Sequence, residues 1–413
     1  MPRATTSCSA LALSLLAAAI GFAQAARSSE LRLFPVVPSW SRPLDKVVTA
    51  APAFAGHLAF FPVEGQQVAA FDVQQGTPAW TAPGSPRSTP AVGDGLLFLA
   101  EPDTITALRQ DTGEKVWALP FSEELAVPLV FDNKWLIASD VSGNVLALRA
   151  TDGTLIWRTA LGVRVHAAPA LAADRVYVPL EDGRVVALDV TSGEKRWEHK
   201  LGGPPNEMLA LDDRVYVGSD DDFLYCLLTK DGEIAWRWRT GGDVIGVPVI
   251  DEHRVYFVSR DNVLRGLDRR SGSQRWKRPL ALRPTRGPVA AGDLLLVSGL
   301  TPKVMAFAMK DGTPAGEVAA PGELAAAPFI TETRGLPQLV IVSRDVAPGT
   351  RILAVRRNVE PLMNTPLPVL PGVITIAKPG SPGDPFATAP ASSAAPATPA
   401  PASPPARQGR QPR

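Results

Sequence analysis

Cysteine is nearly absent from this chain. It has two, Cys8 and Cys226, and Cys8 falls in a segment read below as a leader. With one cysteine left, no internal disulfide can form and stability must come from packing. Histidine is also scarce, and His57, His166, His199 and His253 have no metal-ligand spacing to one another. Charge of one sign is lacking too. The 42 basic and 41 acidic side chains leave a net charge of +1, with no basic block or acidic run in the body of the chain. That balance argues against nucleic acid as a partner. No nucleophile elbow, phosphate loop or zinc motif occurs, so no catalytic, cofactor-binding or metal residue is assigned. The apolar run from about Ala10 to Ile20 is shorter than the roughly 20 residues of a membrane span. Arg3 precedes it and Ala23-Gln24-Ala25 follows, which is the order of a secretory signal peptide cleaved after Ala25. Residues 1–25 are therefore expected to be a leader, and the mature chain to be exported to the periplasm without a transmembrane span. Cys8 lies before the apolar run and not at the cleavage site, so no lipid anchor is expected.

Against these absences stands a repeat. The pairs Gly76/Trp80, Gly113/Trp117, Gly153/Trp157, Gly193/Trp197, Gly232/Trp236 and Gly272/Trp276 share one spacing. Successive tryptophans are 37, 40, 40, 39 and 40 residues apart. A seventh glycine, Gly312, has Gly316 where the tryptophan should stand. A fixed period of this size means stacked supersecondary units. Within residues 168–198, short runs such as Arg175-Val176-Tyr177-Val178-Pro179 and Arg184-Val185-Val186-Ala187-Leu188-Asp189 alternate with turn signals at Asp182-Gly183 and Thr191-Ser192-Gly193. This predicts four short antiparallel strands per unit. The inner runs are apolar at nearly every position, so they need cover on both faces. A propeller supplies it, because each blade lies between two others.

A second column sets the number of blades. Six residues before each turn glycine stands Ala70, Ala107, Ala147, Ala187, Cys226, Gly266 or Ala306, and an eighth copy is Ala354. The units open near Pro52, Pro90, Pro128, Pro169, Met208, Pro248, Pro288 and Pro328. The eighth unit lacks its own glycine and tryptophan. Trp40, however, precedes Pro52 by 12 residues, as Trp157 precedes Pro169. The expectation is an all-β, eight-bladed, monomeric propeller over residues 26–356, closed by an N-terminal strand around Trp40. Seven blades, with residues 328–356 as an appendage, is the alternative. Residues 357–376 read as a linker. Residues 377–413 read as a disordered Pro/Ala-rich tail tipped by Arg407, Arg410 and Arg413, either inert or a tether.

Trp40, Trp80, Trp117, Trp157, Trp197, Trp236 and Trp276 are read as blade-docking side chains, the last six beside the turn glycines Gly76, Gly113, Gly153, Gly193, Gly232 and Gly272 that permit close approach. Cys226 stands in a column otherwise filled mostly by alanine, and is read as a buried, inert thiol.

The segment Arg214-Val215-Tyr216-Val217-Gly218-Ser219-Asp220-Asp221-Asp222-Phe223-Leu224-Tyr225-Cys226-Leu227, closing with Asp231-Gly232-Glu233-Ile234-Ala235-Trp236, resembles the PQQ-like β-propeller repeat. The likeness extends over about Val47 to Arg356. Among exported proteins of this size the chain is most similar to the BamB-like scaffolds of outer-membrane β-barrel assembly. That resemblance implies eight blades, no catalysis and protein partners in the cell envelope, including the barrel-assembly machinery. The chain departs from the family in having no lipid-site cysteine and in carrying the Pro/Ala tail. A second branch with the same repeat, the quinoprotein dehydrogenases, implies PQQ and calcium. Its adjacent cysteine pair cannot be supplied here, and Asp220-Asp221-Asp222 reads as a solvated hairpin turn and not as a calcium cradle. No cofactor is expected, with PQQ the alternative. A third reading is a ligand-binding or sensor propeller using the channel mouth. Its candidates are Arg87 and His166, three residues before the opening prolines, and Arg286 one step further in, for an anionic ligand or a peptide carboxylate.

Overall fold

A computed structural model describes residues 33–172, 174–344 and 349–358 and the pair Thr375–Ile376. The leader, the tail and most of the linker lie outside these residues. The chain divides at Lys378/Pro379, and everything described belongs to the first unit.

The described residues contain no helix and form eight antiparallel sheets, the blades of an eight-bladed propeller. Blade 4 shows the plan, with strands Ala170–Ala172, Arg175–Pro179, Arg184–Asp189 and Lys195–Lys200 in that order from the axis outward. Blade 1 begins with Ala53–Ala55 and blade 7 takes Pro314–Ala319 as its fourth strand. In blade 8, Phe329–Thr333 and Glu323–Leu324 both pair with Leu336–Arg344, which pairs with Thr350–Arg357. Its outer strand is the N-terminal Val36–Leu44, paired with Thr350–Arg357. Residues 328–356 are therefore a blade, and the ring is closed by the first strand of the propeller. In blade 7 the outer strand also pairs with Thr375–Ile376, a fifth strand drawn from the stretch read as linker.

Local chemistry explains the turn before each outer strand. The Asp189 carboxylate accepts from the Thr191 and Ser192 amides, and the Gly193 amide donates to the Asp189 carbonyl. The chain then reverses through Gly193 at φ 72°, a conformation open to glycine at little cost. Asp72 and Asp268 build the same turn ahead of Gly76 and Gly272.

The small-residue column lies between two large rings. Ala187 faces Tyr177 on one side and Trp197 on the other, and those rings are 5.8 Å apart. Cys226 separates Tyr216 from Trp236, and Gly266 separates Tyr256 from Trp276. A larger side chain there would push the rings apart. Ala354 faces Trp40 in the same way, which makes Trp40 the outer-strand tryptophan of blade 8.

Each tryptophan reaches across to the following blade. The Trp197 indole covers Gly232, where a Cβ would stand 2.5 Å from the ring, and its Nε1 donates to the Thr229 carbonyl at 2.8 Å. The same pair of contacts joins Trp80, Trp117, Trp157, Trp236 and Trp276 to the blades after them. Trp40 covers Gly76 and so joins blade 8 to blade 1. The buried core is accordingly shared between blades. One cluster gathers Val185 and Trp197 of blade 4 with Val215 and Tyr225 of blade 5.

Two irregularities have local causes. Gly316 replaces tryptophan in blade 7 because Phe34 takes the space, with its Cδ1 2.4 Å from where a Cβ would sit. At the closing seam the acceptor equivalent to Thr229 is Val73, and its carbonyl is taken by the buried Gln338 side chain at 2.6 Å. The Trp40 indole N–H has no acceptor among the described residues.

Candidate functional site at the channel mouth

The inner strands do not run straight. In blades 5 and 6 their register slips between Pro205 and Met208 and between Ile245 and Val249. In blades 1, 3, 4 and 7 an isolated bridge, such as Val165 with Leu180, precedes the strand proper. Each break falls just before the opening proline or Met208. Where the opening residue is proline it has no amide N–H to continue the ladder, and the chain bulges there; in blade 5 the bulge is at Asn206-Glu207, ahead of Met208. These bulges are where side chains can leave the sheet at the ring's inner edge.

The three candidates occupy such positions but face different neighbours. The Arg87 amide pairs with the Ala100 carbonyl, and its exposed side chain lines a cleft of about 290 Å³ with Glu101, Glu123, Glu124 and Leu125. Glu101 is held there by the Ser85 amide and by the hydroxyls of Thr104 and Thr106. His166 is half-buried, with Nε2 3.7 Å from Oδ2 of Asp220 in blade 5. Arg286 is half-buried and donates to the Ala325 carbonyl of blade 8 at 3.4 Å. Burial, and then the charge of Arg344, hold the Arg286 guanidinium below its usual range. No hydrogen bond or ion pair joins these three residues among the described ones. They mark three separate inter-blade junctions.

Asp220, Asp221 and Asp222 occupy the hairpin between Arg214–Ser219 and Phe223–Leu228. Asp220 accepts from the Asn206 amide at 2.8 Å, and Asp221 accepts from the Tyr225 hydroxyl at 2.5 Å. Asp222 turns the chain at φ 67°. The triplet is thus more tied down than a solvated turn, with Asp221 half-buried over Gly202. Burial, and then the neighbouring Asp220, raise the Asp243 carboxyl above its ordinary range. Among the described residues, no three His, Cys, Asp or Glu side chains come together as a metal site.

Cys226 is fully buried beneath Trp236, and burial pushes its thiol up to about 11. Sequence reasoning did not find Glu101, Glu123 or Glu124, because they belong to loops outside the repeating columns.

Comparison with known proteins adds the lineage. The profile of the family described as outer membrane protein assembly factor BamB matches residues 101–211, 208–317 and 263–345. BamB of Shewanella oneidensis is 31% identical over 132 residues, 29% of this chain and 33% of that protein. BamB of Nitrosomonas eutropha is 22% identical over 255 residues, 60% of this chain and 56% of that protein. The chain matches about a third of the length of the Shewanella oneidensis and Burkholderia pseudomallei relatives. The crystal structure of BamB from Moraxella catarrhalis superposes with a TM-score of 0.61 at 18% identity, covering 77% of this chain and 99% of that one. The quinohemoprotein alcohol dehydrogenase from Comamonas testosteroni gives 0.62 at 12% identity, covering 78% and 76%. Likeness at that identity establishes the shared propeller alone.

Proposed function

The chain belongs to the family of the outer membrane protein assembly factor BamB, and from that premise we propose that it is a non-catalytic, exported interaction scaffold serving outer-membrane protein assembly. The observation that carries this reading is the family match, which runs from residue 101 to residue 345 through blades 2 to 8. In this reading the chain works at the periplasmic side of the outer membrane and binds protein partners of the barrel-assembly machinery through its loops. The ring suits such a role. Its rigidity comes from seams repeated at each blade, so loops can diverge without cost to the frame. The mouth clefts, including the one lined by Arg87 and Glu124, are the surfaces where a partner segment would be held.

The test is affinity purification of the mature protein from its native envelope after mild crosslinking. Recovery of barrel-assembly proteins is the expected result. A clean monomer with no envelope partner would overturn the reading. The dehydrogenase alternative draws on fold likeness to the quinohemoprotein alone. Arg87, His166 and Arg286 stand at three separate junctions and are not joined into one anion site.

A further inference from the structure

The outer strands of blades 4, 5 and 6 are unlike the rest. Lys195–Lys200, Ile234–Arg239 and Gln274–Pro279 together carry eight lysines and arginines against one carboxylate, Glu198. The outer strands of the other five blades carry three basic residues, Arg42, Lys115 and Arg158, and one acid, Glu317. A chain of net charge +1 thus gathers positive charge on one arc of its rim.

Part of that charge is neutralised locally. Lys195 pairs with Glu198, Arg196 with Asp189, and Arg275 with Asp268. The residues that follow each tryptophan are different. Lys200, Arg237, Arg239 and Lys277 are exposed and make no ion pair among the described residues. Arg237 stacks on the Phe223 ring at 5.0 Å, which keeps its charge at the surface. Trp238 is half-buried against the core shared by blades 5 and 6, and the exposed Ile234 lies on the same strand.

We propose that this arc is a docking surface for an anionic membrane, held by acidic phospholipid headgroups. Three features select an extended partner of that chemistry. The charges are spread along three neighbouring strands and are not gathered into a pocket that would cradle one small anion. Basic residues beside an anionic bilayer are each attracted to it, and the attraction fades within a Debye length. The exposed Ile234 on the strand of Arg237 and Arg239 adds an apolar side chain of the kind the headgroup layer accommodates beside basic ones. The proposal goes beyond the barrel-assembly reading and does not rest on it, because lipid binding is measured without any partner protein.

Geometry ranks the contributions. An eight-bladed ring turns by about 45° per blade, so against a flat surface the middle blade of the arc leads and its neighbours recede. Arg237 and Arg239 of blade 5 should therefore outweigh Lys200 and Lys277.

The test is flotation of the mature protein with vesicles of phosphatidylcholine alone or with phosphatidylglycerol added. Binding is expected only with phosphatidylglycerol, and should weaken as salt is raised. Arg237→Gln with Arg239→Gln should lower the partition coefficient about fivefold per residue. Lys200→Gln should cost less, and Lys115→Gln on blade 2 should change nothing. All four positions are exposed, and an unchanged circular dichroism spectrum confirms that the variants fold. Equal binding to neutral vesicles, or a double variant that floats like the wild type, would overturn the proposal. So would tight binding to polyglutamate with no flotation, which would assign the arc to an acidic protein.

Discussion

Adding a methyl group at Gly232 tests the seam more sharply than deleting a tryptophan. Gly232 and Gly95 share φ 75°, so alanine meets the same backbone penalty at both, about 1–2 kcal/mol in the left-handed region. Their surroundings differ. Nothing lies within 4 Å of a Cβ at Gly95, whereas a Cβ at Gly232 would be 2.5 Å from the Trp197 ring. That ring is held from behind by Tyr177 and tethered by its bond to the Thr229 carbonyl. It cannot retreat without opening the seam between blades 4 and 5. Overpacking of this kind costs about 1–3 kcal/mol. Gly232→Ala should therefore lose about 2–5 kcal/mol and Gly95→Ala about 1–2 kcal/mol, read from urea midpoints at equal slopes. A double-mutant cycle completes the argument. In a Trp197→Ala background the obstacle is gone, and Gly232→Ala should cost no more than Gly95→Ala. Equal losses at Gly232 and Gly95 in the wild-type background would refute the contact as the reason for the glycine.

Other expectations follow from the same seams and from the loops. Trp197→Ala should lose about 3–5 kcal/mol, since it leaves a cavity at the seam between blades 4 and 5; an unchanged melting temperature would exclude a docking role. Gln338→Leu should lower stability by about 1–3 kcal/mol by leaving the buried Val73 carbonyl without its donor; an unchanged urea midpoint would show that the Trp40 indole takes over that acceptor. For Asp261, burial raises the carboxyl, but hydrogen bonds from Arg265 and Ser259 outweigh it and bring it down to about 2. A carboxyl held low stabilises the fold above its ordinary pKa of about 3.9, and that stabilisation is lost as pH falls toward 2. The wild type should thus lose stability across that window more steeply than Asp261→Asn, and parallel curves would count against the ion pair. Cys226 should react with a thiol reagent only on unfolding, because burial raises its thiol to about 11; labelling of the native protein at the rate of a free thiol would contradict that placement.

What could be read in the sequence was whatever the ring repeats. Glycine followed by tryptophan marks a turn that must accept an indole from the preceding blade. Such a contact recurs at fixed spacing, so Gly193 and Trp197 predict the geometry of Gly232 and Trp236. The eighth blade was legible through Ala354, because a small residue is required wherever an indole crosses, and Trp40 was the one left to cross it. The substitutions were not legible. Phe34 fills the place of a tryptophan from a segment far from Gly316 in sequence, and Gln338 replaces an indole donor from another strand. No spacing rule links such residues. The mouth was the least legible part. Its side chains sit in bulges and loops that the frame leaves unconstrained, so Arg87, His166 and Arg286 could be placed at the inner edge but not with the neighbours they meet. The basic rim was not legible because its charges lie about 40 residues apart in sequence, as Arg237 and Lys277 do, and fall on one arc only when blades 4 to 6 follow one another round the ring.

A scaffold role in barrel assembly is tested by removing the protein from its own cell. The amount of folded, heat-modifiable barrel protein in the outer membrane would be compared between cells with and without it, and in cells complemented with Trp197→Ala. Fewer folded barrels on removal, restored by the wild-type chain and poorly by the variant, is the result expected. Unchanged barrel content in cells lacking the chain would rule out the scaffold role.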